Sequence, residues 1–134
     1  MKRKIVVATL ILCLAFFILV FFKNCGFVRM GDVERAYVIY RVGNVDINKK
    51  MSDEDMKVIS KMFSGRLMAT DTPACGFSEN VSIVFDGSKT FCIAQDTCPI
   101  IWYKEKDKYF SISVEDQKKL YEILAMYRIY FPNV

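Results

Sequence analysis

One long apolar run constrains this chain more than any other feature of its sequence. Residues 5–22, IVVATLILCLAFFILVFF, include no charged residue, no proline and no glycine. As a helix that rises about 1.5 Å per residue, the run would extend about 27 Å, close to the ~30 Å hydrocarbon core of a bilayer. The sequence therefore predicts a cytoplasmic tip and a transmembrane anchor over residues 1–23.

The alternative to an uncleaved anchor is a secretory signal that is removed. Lys2, Arg3 and Lys4 form a basic leader before the apolar run, as they would in a signal peptide. The run is long for such a signal, however, and no small-x-small cleavage site follows it. Cys25 follows Asn24 rather than the small residue that lipoprotein processing needs. These observations favour the anchor.

The basic residues on the two sides of the run are nearly equal in number, so the positive-inside rule alone does not fix the orientation. Those before the run are contiguous and have no acid among them, which is the arrangement of a signal-anchor. A long carboxy-terminal domain also tends to be translocated whatever its charge. We therefore expect a single-pass protein of the cell membrane with an extracytoplasmic domain, and the opposite orientation stays an alternative.

The chain after the run has no net charge. Fifteen of the nineteen Lys and Arg residues, and all fifteen Asp and Glu residues, follow Lys23. A neutral domain with mixed charges lacks the basic surface that nucleic-acid binding needs, so no nucleic-acid partner is expected. The length allows one small domain, predicted over residues 34–134, with residues 24–33 as a juxtamembrane tether.

The hydrophobic pattern of this domain predicts an α+β fold. Runs rich in β-branched and aromatic residues predict strands at residues 34–42, 81–85, 89–95, 100–104 and 108–112. Two amphipathic helices are predicted to begin at the capping residues Ser52 and Ser113 and to end near Gly65 and at Pro132. The order β-α-β-β-β-β-α predicts an antiparallel sheet of about five strands with two covering helices.

The hairpin of residues 81–95 predicts which cysteines meet. If Asp86 to Ser88 form its turn, the numbers of paired residues sum to about 175, which places Ile83 opposite Cys92. On the same register Cys75 falls near Cys98, within reach of the Cα separation of about 5.5 Å that a disulfide needs. A disulfide between Cys75 and Cys98 is therefore predicted, and Cys92 is predicted to be a buried structural thiol. Fully reduced thiols, or other pairings that involve Cys25, are the alternatives.

The residues of known catalytic motifs are missing. The chain contains no histidine, which excludes the Ser-His-Asp triad and the zinc-protease helix motif. Five residues separate Cys92 from Cys98, which is wide for a zinc site, and the glycines do not form a phosphate-binding loop. We therefore predict no enzyme, no metal and no cofactor. Catalysis by carboxylates stays an alternative, although turn chemistry already accounts for Asp at loop edges. Four carboxylates lie at such edges: Asp71, Glu79, Asp86 and Asp96.

Four segments carry a resemblance to known proteins. CGFSENVSIVFDG, FCIAQDTCP, KYFSIS and YRIYFP resemble a small cysteine-marked domain of uncharacterised membrane-anchored or lipoprotein-like proteins of Gram-positive bacteria. The resemblance covers residues 36–134. It implies a domain boundary and no established activity.

These observations predict a membrane-tethered extracytoplasmic binding or accessory domain without a catalytic site. The membrane is contacted through residues 5–22, and an envelope protein is the expected partner. An aromatic contact patch is predicted on the second hairpin, with half of its side chains pointing into the core as the alternative: Trp102, Tyr103, Tyr109 and Phe110.

Two other functions stay open at this stage. One is a thiol-based redox or metal-responsive sensor that uses Cys75, Cys92 and Cys98. The other is a small subunit of a larger membrane complex, with residues 5–22 as the working part. That run lacks Gly-x-x-x-Gly and any intramembrane charge, which weighs against the subunit.

Overall fold

The computed structural model describes residues 1–24 and 26–131 and consists of a long helix followed by an α+β domain. A short 3-10 turn, Lys104–Lys106, lies between the last two strands. In chain order, the other elements are α1 Lys2–Asn24, β1 Ala36–Val42, β2 Val45–Lys50, α2 Asp53–Phe63, β3 Val81–Phe85, β4 Lys89–Ile93, β5 Ile100–Tyr103, β6 Lys108–Ser111 and α3 Val114–Met126. The predicted α+β class is confirmed, with six strands instead of five.

The additional strand is β2, which forms an antiparallel hairpin with β1. Gly43 occupies the tight turn between them with φ +59°, in the left-handed region that glycine enters without strain. β2 is an edge strand of the sheet, and all of its side chains are exposed except that of Ile47, which is half-buried. Its apolar alternation is limited to Val45 and Ile47 and ends in Asn48, Lys49 and Lys50, a run too short and polar for the sequence pattern to predict a strand.

The six strands form one antiparallel sheet in the order β2-β1-β3-β4-β5-β6. Between β3 and β4, Ser82 lies opposite Cys92, so the predicted pairing of Ile83 with Cys92 is wrong by one residue. Phe85 pairs with Lys89 directly across the turn. This close pairing is achieved because Asp86 (φ 51°) and Gly87 (φ 71°) both adopt left-handed conformations.

Helices α2 and α3 cover one face of the sheet, which we call the front face. Its core is aromatic: the Phe63 ring lies 5.1 Å from Phe91 and 5.4 Å from Phe110, measured between centroids. Both helices begin as predicted, since the side chains of Ser52 and Ser113 accept hydrogen bonds from backbone N–H groups in the first turn. Helix α3 ends at Met126, earlier than predicted. Pro132, its predicted end, lies outside the described residues.

The segment predicted as a tether is largely part of the domain. Val28 and Met30 are each only 1% exposed and belong to the core. The Val28 N–H donates to the carbonyl of Arg66 at 2.8 Å, and Phe27 forms a β-bridge with Leu67. The packed domain therefore begins at residue 26, close to the end of α1. Such a short apolar segment has no periodicity from which its packing could be predicted.

Helix α1 stands apart from this core. Its Arg3–Phe22 segment of 20 residues is the one helix, among the described residues, that is long and apolar enough to cross a membrane. None of this segment is buried against the domain.

Candidate functional site

The face of the sheet opposite α2 and α3, which we call the back face, is covered by residues 69–80, which we call the strap. The strap begins at a β-bridge between Ala69 and Tyr109 on β6. The Phe77 ring packs 5.5 Å from the Tyr109 ring, and the Glu79 carboxylate forms a 2.7 Å ion pair with Lys104. The strap then enters β3, so it runs across the back face from the edge strand β6 to the interior strand β3.

A disulfide between Cys75 and Cys98 fixes the middle of the strap, as predicted. The two Cα atoms lie 6.3 Å apart, and the bond spans 23 residues of sequence. It joins the strap to the connection between β4 and β5. A loop of this length is expected to stabilise the fold by about 3 kcal/mol, by restricting the unfolded chain.

The strap buries a thiol on the back face. Phe91 and Ile93 point to the front face, so the alternating side chain of Cys92 points to the back. Cys92 is nevertheless 0% exposed, and its cross-strand neighbour Ser82 is 1% exposed. Burial, reinforced by the negative charge of Glu79, raises the pKa of Cys92 from 9.0 to about 12. The thiol is therefore protonated at neutral pH and poorly reactive.

A polar cluster lies beside the disulfide. The sulfur atoms of Cys75 and Cys98 and a carboxylate oxygen of Asp96 all lie within 4.8 Å of one another. Asp96 accepts a 3.3 Å hydrogen bond from the Cys98 N–H, and Gln117 of α3 donates to the carbonyl of Thr97 at 2.8 Å. In the oxidised state the sulfurs are not thiolates. Reduction would give two thiols beside one carboxylate, and if the thiols released their protons to zinc, the three groups would supply three of its four usual ligands.

Among the described residues, Cys13 and Cys92 are not part of this cluster. Cys13 is exposed on α1. Cys25, whose pairing the sequence left open, lies outside the described residues.

The predicted aromatic patch is divided between the two faces of the sheet. The Trp102 and Tyr109 rings stack on the back face, 6.4 Å apart, and the Trp102 indole N–H donates to Asp107 at 3.2 Å. Tyr103 and Phe110 are only 6% and 2% exposed, so including them in an exposed patch is wrong. Their positions alternate with those of Trp102 and Tyr109 along β5 and β6, which turns them into the core.

Three of the four carboxylates predicted at loop edges make structural contacts. Glu79 pairs with Lys104, and Asp96 lies in the disulfide cluster. Asp86 accepts hydrogen bonds from the N–H groups of Glu34 and Arg35, at 3.0 and 3.1 Å. Asp71 is exposed on the strap. These contacts assign Glu79, Asp86 and Asp96 to turns and to the strap.

A cleft that sequence reasoning missed lies where α1 meets the domain. This cleft of about 730 Å³, which we call the basic cleft, is lined by four cationic side chains: Arg29, Lys89, Lys106 and Lys108. Apolar residues complete its wall, among them Phe22 at the end of the apolar helix and Phe27. The cations come from three separated segments of a domain with no net charge, and only the alternation in KEKDK, residues 104–108, hints at them.

Comparison of the chain with models of protein families, with curated proteins and with solved structures found no match. The fold and the site therefore define the chain by its architecture: an apolar helix joined to an α+β domain whose strap is held by a disulfide. The resemblance to cysteine-marked proteins of Gram-positive bacteria stays a prediction.

Proposed function

We propose that this is a single-pass membrane protein whose domain lies outside the cytoplasm and acts by binding a partner, without catalysis. The observation that carries this proposal is the exposure of α1. Side chains such as Leu10, Leu12 and Phe17 are 65%, 72% and 78% exposed. Each would be more stable by about 1.5–3 kcal/mol in an apolar environment than in water, and a bilayer supplies that environment for the whole helix.

The disulfide supports the extracytoplasmic orientation. Disulfides persist in oxidising compartments and are rare in the cytoplasm. Here the Cys75–Cys98 bond fixes the strap that shields Cys92, so it contributes to the fold itself. The contiguous Lys2, Arg3 and Lys4 at the other end of α1 fit a cytoplasmic amino terminus.

The back face offers the contact surface for a partner. Trp102 and Tyr109 are half-buried there and stack on each other, which leaves part of each ring accessible beside the strap. Aromatic residues with a polar edge are enriched in protein interfaces. We propose an envelope protein as the partner, and a Trp102→Ala variant that keeps its fold but loses no partner would refute this surface.

Protease accessibility tests the orientation. A protease site inserted between Gly43 and Asn44, in the exposed β1–β2 turn, is expected to be cut in intact cells and protected in inside-out vesicles. The same site placed before Lys2 is the matched control and is expected to behave in the opposite way. The reverse pattern for the two sites would refute an extracytoplasmic domain.

The second candidate function is a redox-dependent metal sensor at Cys75, Asp96 and Cys98. The proximity of the three donor atoms is the observation in its favour. Zinc titration of the reduced, detergent-solubilised chain against a chromophoric chelator tests it. Tight binding that Asp96→Asn weakens would support the sensor, and the absence of zinc binding by the reduced chain would eliminate it.

The role of a subunit in a larger membrane complex stays a prediction. Replacing residues 5–22 with an unrelated apolar helix of equal length tests it. If the chain with the exchanged helix keeps its full function, the sequence of α1 is not what the function requires.

A further inference from the structure

We propose that the basic cleft binds the phosphate-bearing headgroup of an anionic phospholipid, an inference that rests on the proposed membrane anchoring of α1. The lipid belongs to the leaflet at which α1 leaves the membrane on the domain side. The cleft would thereby fix the domain against the membrane surface.

The position of the cleft supports a lipid as its occupant. Phe22 is the last residue of the apolar segment, and it lines the cleft together with Gly26 and Phe27 just beyond it. The Phe22 and Phe27 rings lie 6.4 Å apart, so the helix end and the domain meet at this point. If α1 spans a bilayer, the cleft therefore lies at the depth of the headgroups.

The charge of the cleft selects an anion. Arg29, Lys89, Lys106 and Lys108 line it, and none of the described residues that line it is acidic. Among the described residues the ion pairs are Arg41–Asp46, Arg66–Asp116 and Lys104–Glu79, so none of them neutralises a cation of the cleft.

The acids nearest to the cleft in sequence are turned to other partners. Glu105 accepts a 2.7 Å hydrogen bond from the Thr90 N–H, and Asp107 accepts one from the Trp102 indole. Since the domain as a whole has no net charge, these four cations, which form no salt bridge with the described residues, are a local concentration of positive charge. A phosphate that accepts several charge-assisted hydrogen bonds matches such a set of donors.

The cleft also has an apolar part, which separates a lipid from a soluble anion. Phe22, Phe27 and Met68 line it next to the cations. The Lys89 ammonium is held in place, because it donates a hydrogen bond to the carbonyl of Met30. An amphiphile with a phosphate beside a hydrocarbon chain satisfies both parts of this wall, whereas inorganic phosphate satisfies only one.

Native mass spectrometry of the full chain in detergent micelles tests the proposal, with equimolar phosphatidylglycerol and phosphatidylcholine as probes. The wild-type chain is expected to retain phosphatidylglycerol preferentially. Lys106→Gln with Lys108→Gln should reduce this preference about 25-fold, because each cation near an anionic lipid surface contributes about fivefold. Arg29→Gln, in a different segment, should reduce it about fivefold. Lys89 is left unchanged because of its contact with Met30.

Lys118→Gln with Lys119→Gln is the matched control, since it removes the same charge from the exposed surface of α3 and should keep the preference. Equal retention of the two lipids by the wild type, or an unchanged preference in the cleft variants, would overturn the proposal. Displacement of the lipid by an equal concentration of inorganic phosphate or glycerol phosphate would overturn it in favour of a soluble phosphate ligand. Orientation does not affect binding in micelles, so a failure here is distinct from a failure of the proposed topology.

Discussion

The two faces of the sheet bury their side chains by different means. On the front face, Phe91 packs against the aromatic rings of residues on α2 and on neighbouring strands. On the back face, Cys92 is equally buried, but beneath an irregular strap that is held by a β-bridge, an aromatic contact, an ion pair and a disulfide. The front face is therefore held by packing, whereas the cover of the back face also includes a disulfide, a bond that persists only where cysteines stay oxidised.

The largest effect is expected from truncation on the front face. Phe91→Ala removes a ring that contacts Phe63, Phe85 and Tyr103, at centroid distances of 5.1, 5.8 and 4.5 Å. The resulting cavity should lower the free energy of unfolding by about 3–5 kcal/mol. Urea denaturation of the full chain in micelles, followed by circular dichroism, measures this loss. An unchanged denaturation midpoint would contradict the assignment of Phe91 to the core.

Removal of the disulfide is expected to have the next largest effect. Cys75→Ser with Cys98→Ser should lower the free energy of unfolding by about 3 kcal/mol in the same assay. It should also release the strap, so that Cys92 reacts with maleimide in the folded protein. The wild type in reductant serves as the control and should behave like the variant. A Cys92 that stays unreactive in both would show that the strap covers the back face without its bond.

Phe77→Ala makes the same truncation as Phe91→Ala, but on the back face. Phe77 is half-buried and packs on Tyr109, so its loss should lower the free energy of unfolding by about 1–2 kcal/mol. Measured side by side, the two truncations compare the faces directly. A loss as large as that of Phe91→Ala would mean that the strap is an integral part of the core.

The smallest effect is a dependence of stability on pH. Because burial raises the pKa of Cys92 to about 12, the folded state favours the protonated thiol. The contribution is complete below the unfolded pKa of 9.0 and is lost as the pH rises from there toward 12. Between pH 9 and 10, the wild type should lose about 1 kcal/mol more stability than Cys92→Ala. Parallel pH profiles of unfolding for the two proteins would contradict the burial of this thiol.

The parts of the fold that the sequence predicted are those with a local signal. The apolar run of α1, the serine caps of α2 and α3, and the Asp86-Gly87 turn each act through residues that are close in sequence. The turn also placed Cys75 near Cys98, although with a register error of one residue. Strand β2 was missed because only two of its six residues, Val45 and Ile47, are apolar.

The candidate sites were harder to predict, because they depend on contacts between distant segments. Nothing in the sequence near Val28 and Met30 indicates that they pack beside residues 66–68. The basic cleft follows from that packing, since it brings Arg29 close to Lys89 and to the lysines around β6. The division of the aromatic patch follows from the alternation of side chains between the two faces along β5 and β6. In such short strands, the sequence shows which residues share a face, but it does not show which face is buried.

Differential alkylation of the protein in intact cells, followed by peptide mass spectrometry, tests the central claim most directly. An oxidising exterior predicts that Cys75 and Cys98 are recovered as one linked pair of peptides, and that Cys92 is alkylated only after unfolding. Recovery of Cys75 and Cys98 as two alkylated thiols, without any reductant, would contradict the account.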